Sequence, residues 1–331
     1  MRRRFSSPNR PASSNVVRRS AFIAGTLAVT ALPLTADAQE TSYDLVTPTG
    51  TIYGTLLQPA GATRVVLIVA GSGPTDRDGN NPLGVTAASY RRLAIALAAR
   101  GIASVRYDKR AIAASAAAGP KMIDLRFEDY VDDAAAWLAK LRADGRFRAI
   151  ALAGHSEGSL IGMIAVQHER VAAYVSLSGA GYPADVLMRR QLGPQLAAAP
   201  ELAAASTRIL DALVAGHTVS DVPAKLLPIY YPDSQPYLVS WFRYDPRVEI
   251  KKVRAPVTIV QGGNDVQVTV DDADALAAAR PDAKVVVVPR MTHVLSDDDA
   301  TTGPAQATGV YRDASRPIDP AVVNAIVAAF G

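Results

Sequence analysis

Short β-branched runs alternate with longer segments rich in alanine and leucine along most of this 331-residue chain, and that rhythm decides what it can fold into. The run Arg64-Val-Val-Leu-Ile-Val-Ala70 shows no polar alternation, so it reads as a strand buried on both faces. Apolar residues at helical spacing follow over Ala87–Arg100, Gly101 stops that helix, and Ile102–Tyr107 is the next strand. The pattern continues as helix Glu128–Arg142, strand Arg148–Ala153, helix Glu157–His168 and strand Val171–Leu177. Later, strands Val257–Gln261 and Lys284–Val288 flank helix Asp271–Ala279, and a final helix covers Pro320–Phe330. Thr51–Leu57 fits an early strand of a hairpin. Parallel strands need crossovers of about a dozen residues or more, which these helices supply. The expected fold class is therefore α/β, a mostly parallel sheet flanked by helices.

Between Pro183 and about Glu249 the alternation stops. Leu187–Leu213 reads as one or two helices, and the stretch after it holds Tyr230, Tyr231, Tyr237, Trp241, Phe242 and Tyr244, in a chain only 6% aromatic. So long a departure inside a compact domain is expected to be a helical cap inserted between core strands. Its aromatics are expected to line an apolar wall of the substrate site.

The net charge of +4 invites a nucleic-acid reading, which the distribution of charge removes. Residues 1–38 hold six arginines (Arg2, Arg3, Arg4, Arg10, Arg18, Arg19) and one acid, Asp37. Taking these from 35 bases and 31 acids leaves 29 and 30, so the remainder is near neutral. The basic stretch ends at Arg18-Arg19, an apolar run follows from Ala21 to Leu34, and Ala36-Asp37-Ala38 has the small-x-small pattern of a cleavage site. Residues 1–38 are thus expected to be a signal peptide cleaved before Gln39, leaving one α/β domain over 39–331 that carries the insertion. Arg18-Arg19-Ser20-Ala21-Phe22-Ile23 resembles a twin-arginine signal, and a Sec signal with a basic n-region is the alternative. The apolar run is too short to span a bilayer, so no stable membrane anchor is expected after cleavage. Cysteine is absent, so an oxidising compartment would form no disulfide here. The expected location is periplasmic or secreted.

Gly154-His155-Ser156-Glu157-Gly158 falls between a strand and a helix, the place of a nucleophile elbow. A tight, strained turn leaves no room for side chains two residues either side of the serine, hence the glycines. The turn lifts the Ser156 hydroxyl above the sheet edge and sets the Glu157 N–H at a helix N-terminus, ready for an oxyanion. A serine needs a base, and the chain has four histidines. His155 lies inside the elbow and points away from the hydroxyl, His168 ends the following helix, and His217 falls in the cap. His293, after the last strand in Pro289-Arg-Met-Thr-His293, stands where the base loop should be. The acid should follow the penultimate strand, and Val257-Thr-Ile-Val-Gln-Gly-Gly-Asn-Asp265 offers Asp265 to orient His293. Asp271 and Asp272 are rivals that read better as the start of a helix. After the first buried strand, Ala70-Gly71-Ser72-Gly73-Pro74 lets backbone N–H groups face a ligand, so the second oxyanion donor is assigned to the N–H of Ser72.

Gly71-Ser-Gly-Pro-Thr-Asp-Arg-Asp-Gly-Asn80, Arg106-Tyr-Asp-Lys-Arg110, the elbow and Gly262-Gly-Asn-Asp265 together resemble bacterial α/β-hydrolases of the carboxylesterase or serine aminopeptidase-like (S33-type) kind. The likeness runs from about Thr47 to Phe330. It implies an α/β-hydrolase fold, a triad of Ser156, Asp265 and His293, and activity on short acyl esters. The chain departs from that pattern at Ala70, where many such hydrolases carry histidine, and at Ala111-Ile-Ala-Ala-Ser115, where relatives are glycine-rich. Asp76, Arg77, Asp78, Asp108, Lys109, Arg110 and Glu157 are expected to form a salt-bridge network that fixes the loops, or to recognise a polar substrate group. A free Glu157 carboxylate would oppose an oxyanion, so it should turn away and pair with a lysine or arginine. The expected function is hydrolysis of a small-molecule acyl ester through an acyl-enzyme. Amide or peptide cleavage by the same triad, and a non-catalytic binding protein on this fold, are the alternatives. No cofactor, metal or nucleic-acid partner is expected, because the glycine-rich loops lack dinucleotide or P-loop spacing and no histidine–carboxylate set has ligand spacing.

Overall fold

The computed structural model of the chain describes residues 38–331. The expected signal peptide lies outside the described residues except for its last residue, Ala38. Among the described residues, no helix is long and apolar enough to cross a membrane.

The strands are β1 Gln39–Ser42, β2 Leu45–Thr47, β3 Gly50–Ile52, β4 Gly54–Gln58, β5 Arg64–Val69, β6 Ala103–Tyr107, β7 Ala149–His155, β8 Ala173–Leu177, β9 Val257–Gly262 and β10 Lys284–Val288. Eight of them form one sheet in the order β1-β4-β6-β5-β7-β8-β9-β10, while β2 and β3 make a separate hairpin. From β6 to β10 every pairing is parallel, and β4 pairs antiparallel with both β1 and β6. The parallel part matches the reading of buried strands joined by helical crossovers.

Helices α1 Ser89–Ala98, α2 Phe127–Asp144 and α3 Glu157–His168 fill the crossovers on the β5–β8 side of the chain. Between β8 and β9 come α4 Ala184–Leu196, α5 Pro200–Val214, α6 Leu227–Tyr230, α7 Gln235–Trp241 and α8 Pro246–Lys252. Helices α9 Val270–Ala279, α10 Gly303–Thr308 and α11 Pro320–Ala329 complete the chain. Side chains alternate across a strand, so β5 serves two cores at once. Val65, Leu67 and Val69 pack with Phe127, Trp137, Leu160 and Ile250 on one face. Val66 and Ile68 pack with Leu93, Leu97, Val322 and Ile326 on the other. Burying strands on both faces this way holds their carboxyl ends, and the loops that leave them, in fixed register.

The 183–249 insertion has a core of its own, built by Ile209, Leu210, Leu213, Leu226, Tyr230 and Leu238. It reaches the main core through Tyr237, Trp241 and Tyr244, which surround Phe127 at ring-centroid distances of 6.3, 6.1 and 5.3 Å.

Candidate active site

Ser156 ends β7 and opens α3 with φ 54° and ψ −122°, a left-handed conformation that strains any residue bearing a Cβ. Its surroundings hold it there. A Cβ on Gly154 would lie 2.2 Å from the carbonyl oxygen of Gly158, and one on Gly158 would lie 2.3 Å from that of Val69. The Ser156 N–H donates to the Leu177 carbonyl at 3.0 Å, and its own carbonyl accepts from the Ser159 N–H at 3.0 Å. Both elbow glycines are thus required by backbone, as the motif implied. The Ser156 hydroxyl makes no capping hydrogen bond and lines an open pocket.

His293 sits on the loop after β10, buried, with Nδ1 2.8 Å from Oδ2 of Asp265. Asp265 lies on the loop after β9, where its Oδ1 accepts the N–H groups of Gln267 at 2.8 Å and Val268 at 3.0 Å. Burial opposes its charge, but the adjacent His293 imidazole and these N–H donors outweigh burial and hold the carboxyl below its ordinary range. An ionised Asp265 accepts the Nδ1–H of His293, which leaves Nε2 with the lone pair. The loops that carry Asp265 and His293 are joined by a bond from the Asn264 N–H to the Met291 carbonyl at 3.1 Å. Asp271 is exposed, and Asp272 closes the capping box of α9 and accepts the Gly181 N–H at 2.9 Å. The two rivals start a helix, as their sequence context indicated. His168 and His217 are exposed, and His155 points away from the pocket's hydroxyl into a buried bond with the His293 carbonyl.

Ser156 and His293 line the same pocket, yet no hydrogen bond joins them here. Such contacts often tighten only when substrate binds. Among the described residues, neither the Ser72 N–H nor the Glu157 N–H has an acceptor; Ser72 lines the pocket with Ser156, and Glu157 follows Ser156 as the first residue of α3. The Glu157 carboxylate turns away as the sequence led one to expect, with Oε2 2.8 Å from Lys109 Nζ and Oε1 accepting the Tyr237 hydroxyl at 2.5 Å. Of the other expected loop charges, Arg77 pairs with Asp108, Asp78 with Arg106 and Arg110 with Asp133, while Asp76 accepts the N–H groups of Asp78 and Asn80 instead of a cation.

The pocket over Ser156 has a volume of about 230 Å³. Its walls are Ser72, Gly73, Thr75, Asn81, Leu83 and Val85 from the loop between β5 and α1, with Gln267, Val294 and Tyr311 opposite. No residue of 183–249 lines it. The expectation that Tyr230, Tyr231, Tyr237, Trp241, Phe242 and Tyr244 form its wall is therefore corrected. Tyr230 is buried inside the insertion with its hydroxyl on Ser206, Tyr231 is exposed, and Phe242 packs against the insertion's core. Tyr237, Trp241 and Tyr244 are spent on Phe127, so these rings dock the insertion rather than face substrate. Sequence reasoning missed Tyr311, Gln267 and Asn81. The ten-residue block at 71–80 was the one available signal that the β5–α1 loop matters beyond its oxyanion donor. A larger hollow of about 470 Å³ beside β1 and β4 shares no residue with the Ser156 pocket.

The sequence matches the alpha/beta hydrolase family over residues 25–303, and the chain belongs to that family. The fold is similar to that of the alpha/beta hydrolase GrgF from a Penicillium species (15% identity, TM-score 0.55, 88% of this chain and 98% of that one). It is similar also to an esterase of Pyrococcus furiosus (17%, 0.54, 78% and 84%) and to Est1E from Butyrivibrio proteoclasticus, solved with ferulic acid bound (18%, 0.53, 83% and 96%). None of the curated proteins matches the sequence.

Proposed function

We propose that this chain is a serine hydrolase that cleaves carboxylic esters with small acyl groups through an acyl-enzyme. The observation that carries the reading is the pair His293 Nδ1–Asp265 Oδ2 at 2.8 Å, opening onto the same pocket as a strained, accessible Ser156. His293 Nε2 takes the proton of the Ser156 hydroxyl as its oxygen attacks the ester carbonyl. The N–H groups of Ser72 and Glu157 receive the oxyanion, which is stabilised most at the point where charge develops. The protonated His293 returns its proton to the leaving alcohol as the C–O bond breaks. Water, deprotonated by the same Nε2, then attacks the acyl-Ser156 carbonyl and releases the acid.

A pocket of about 230 Å³ lies below the usual range of drug-sized ligand sites, which supports a short acyl chain. Export remains part of the proposal and rests on the pattern of residues 1–38. Steady-state hydrolysis of p-nitrophenyl acetate, butyrate and octanoate by the purified protein and Ser156→Ala tests the reading. Turnover by the parent that favours the short esters, lost in Ser156→Ala, is the expected result. Turnover by Ser156→Ala within severalfold of the parent would overturn it.

A further inference from the structure

Among the described residues, Lys109 is the only lysine that is buried, at 1% exposure. An ammonium removed from water must be held by its neighbours. Three hold this one: Oε2 of Glu157 at 2.8 Å, the carbonyl oxygen of Gly71 at 2.8 Å, and the face of Tyr130, whose ring centroid is 4.5 Å away. The reaction proposed above uses none of these contacts. One of them is nevertheless made to Glu157, which carries one oxyanion donor, and another to the peptide unit that carries the Ser72 donor.

The Gly71 carbonyl shares one peptide unit with the Ser72 N–H. A trans peptide is planar, and its C=O and N–H point to opposite sides. With the oxygen fixed on Lys109, the Ser72 N–H is aimed away from the ammonium, in a loop that packs on Ser156. Only 3.1 Å would separate a Cβ on Gly71 from the Ser156 Cβ. The second grip works on α3. Glu157 is its first residue, and tying the carboxylate to the same ammonium fixes the turn whose N–H is the other donor. The ion pair also neutralises a carboxylate that would otherwise repel the oxyanion. A third contact comes from the insertion: the buried Tyr237 hydroxyl donates to the remaining Glu157 oxygen at 2.5 Å.

Resting on the ester-hydrolase reading, we propose that Lys109 is a positioning residue that sets the oxyanion hole by gripping Glu157 and the Gly71–Ser72 peptide unit from behind, and that Tyr237 extends this grip to the insertion. The role of 183–249 in this chain is then to brace the elbow, in place of the pocket wall its aromatics suggested.

The test compares the full chain with Lys109→Met, with the double variant Lys109→Met/Glu157→Gln, and with Tyr237→Phe. Each is measured for kcat and KM on p-nitrophenyl butyrate, for melting temperature, and for labelling by a fluorophosphonate. Lys109→Met leaves Glu157 buried and unpaired, so it should lose both stability and turnover. The double variant removes both charges and should recover the melting temperature. It should still lose about 100-fold in kcat, the scale of one missing oxyanion donor, at a KM within about threefold of the parent. Tyr237→Phe, which keeps the ring's packing, should lower kcat about fivefold with KM unchanged. Recovery of kcat along with stability in the double variant overturns the inference, because the pair would then be only structural. So does a parent-like kcat in Tyr237→Phe for the insertion's part in it. A parent protein that neither turns over esters nor takes label overturns the ester-hydrolase reading itself, and this inference with it.

Discussion

His155 Nε2 donates a hydrogen bond to the backbone carbonyl of His293 at 2.8 Å, so the residue before Ser156 anchors the loop that carries its proposed base. A carbonyl can only accept, so the proton is on Nε2 and the lone pair on Nδ1. Nδ1 therefore accepts from the Tyr90 hydroxyl at 2.8 Å, and the Tyr90 oxygen accepts the Gly71 N–H at 2.9 Å. One buried chain of bonds links the oxyanion loop, α1, the elbow and the base loop.

That chain leaves no place for a second proton on His155. Burial, followed by the neighbouring His293, lowers its pKa from 6.5 to about 3. The unfolded chain therefore binds a proton between those values that the folded chain refuses, and stability falls as pH falls through that window. It is fully present above about pH 6.5, and the slope below is up to about 1.4 kcal/mol per pH unit. His155→Gln keeps a donor and an acceptor but cannot titrate. In urea unfolding, the parent should lose about 2 kcal/mol more than this variant between pH 7 and pH 5. Parallel losses would show that His155 is not the group responsible.

Asp265→Asn removes the carboxylate that fixes the His293 tautomer, and ester turnover at neutral pH should fall roughly 10³–10⁴-fold. Asp271→Asn, at an exposed helix start, should leave kcat within about twofold. A larger loss in Asp271→Asn would mean that the acid has been misassigned.

The placement of the aromatic rings separates wall from brace. Val85 lines the Ser156 pocket, so Val85→Ala should enlarge it and raise the rate on octanoate relative to acetate by about tenfold. Trp241 stacks on Phe127 at an interplanar angle of 5° and does not line the pocket. Trp241→Ala should cost about 2 kcal/mol or more of stability and alter all ester rates in proportion. A chain-length shift on Trp241→Ala with none on Val85→Ala would restore the cap reading.

Ala111 and Ala113 occupy φ 65° and 45°, a backbone region that favours glycine. The left-handed conformation costs a residue with a Cβ about 1–2 kcal/mol, part of which glycine returns as unfolded-state entropy. Ala111→Gly should therefore stabilise the chain by about 0.5–1 kcal/mol in denaturant unfolding with ester kinetics unchanged. Destabilisation would contradict the strain.

Where burial and backbone alone dictated the outcome, sequence pattern sufficed. Glu157–His168 forms the helix expected over those same bounds, because its run from Gly158 to Val166 is buried throughout and starts at the elbow. Lys284–Val288 also forms as expected, as a largely exposed edge strand whose β-branched valines pair with β9. The elbow glycines were legible because a backbone clash leaves no alternative residue. Polar β1 was not legible, since all four of its residues are exposed and only backbone pairing with β4 makes it a strand. Tyr237 and Trp241 misled for a related reason. A ring's apolarity says that it will be buried, but which surface buries it depends on Phe127, more than a hundred residues earlier.

The central claim is that the Ser156 hydroxyl becomes covalently acylated. Brief mixing with p-nitrophenyl butyrate, an acid quench and peptide mass mapping test it directly, with a fluorophosphonate as the slow-releasing companion reagent. A butyryl mass and a phosphonyl mass on the peptide containing Ser156, both absent from Ser156→Ala, are the predicted result. Hydrolysis without any adduct there, or an adduct on another residue that persists in Ser156→Ala, would contradict it.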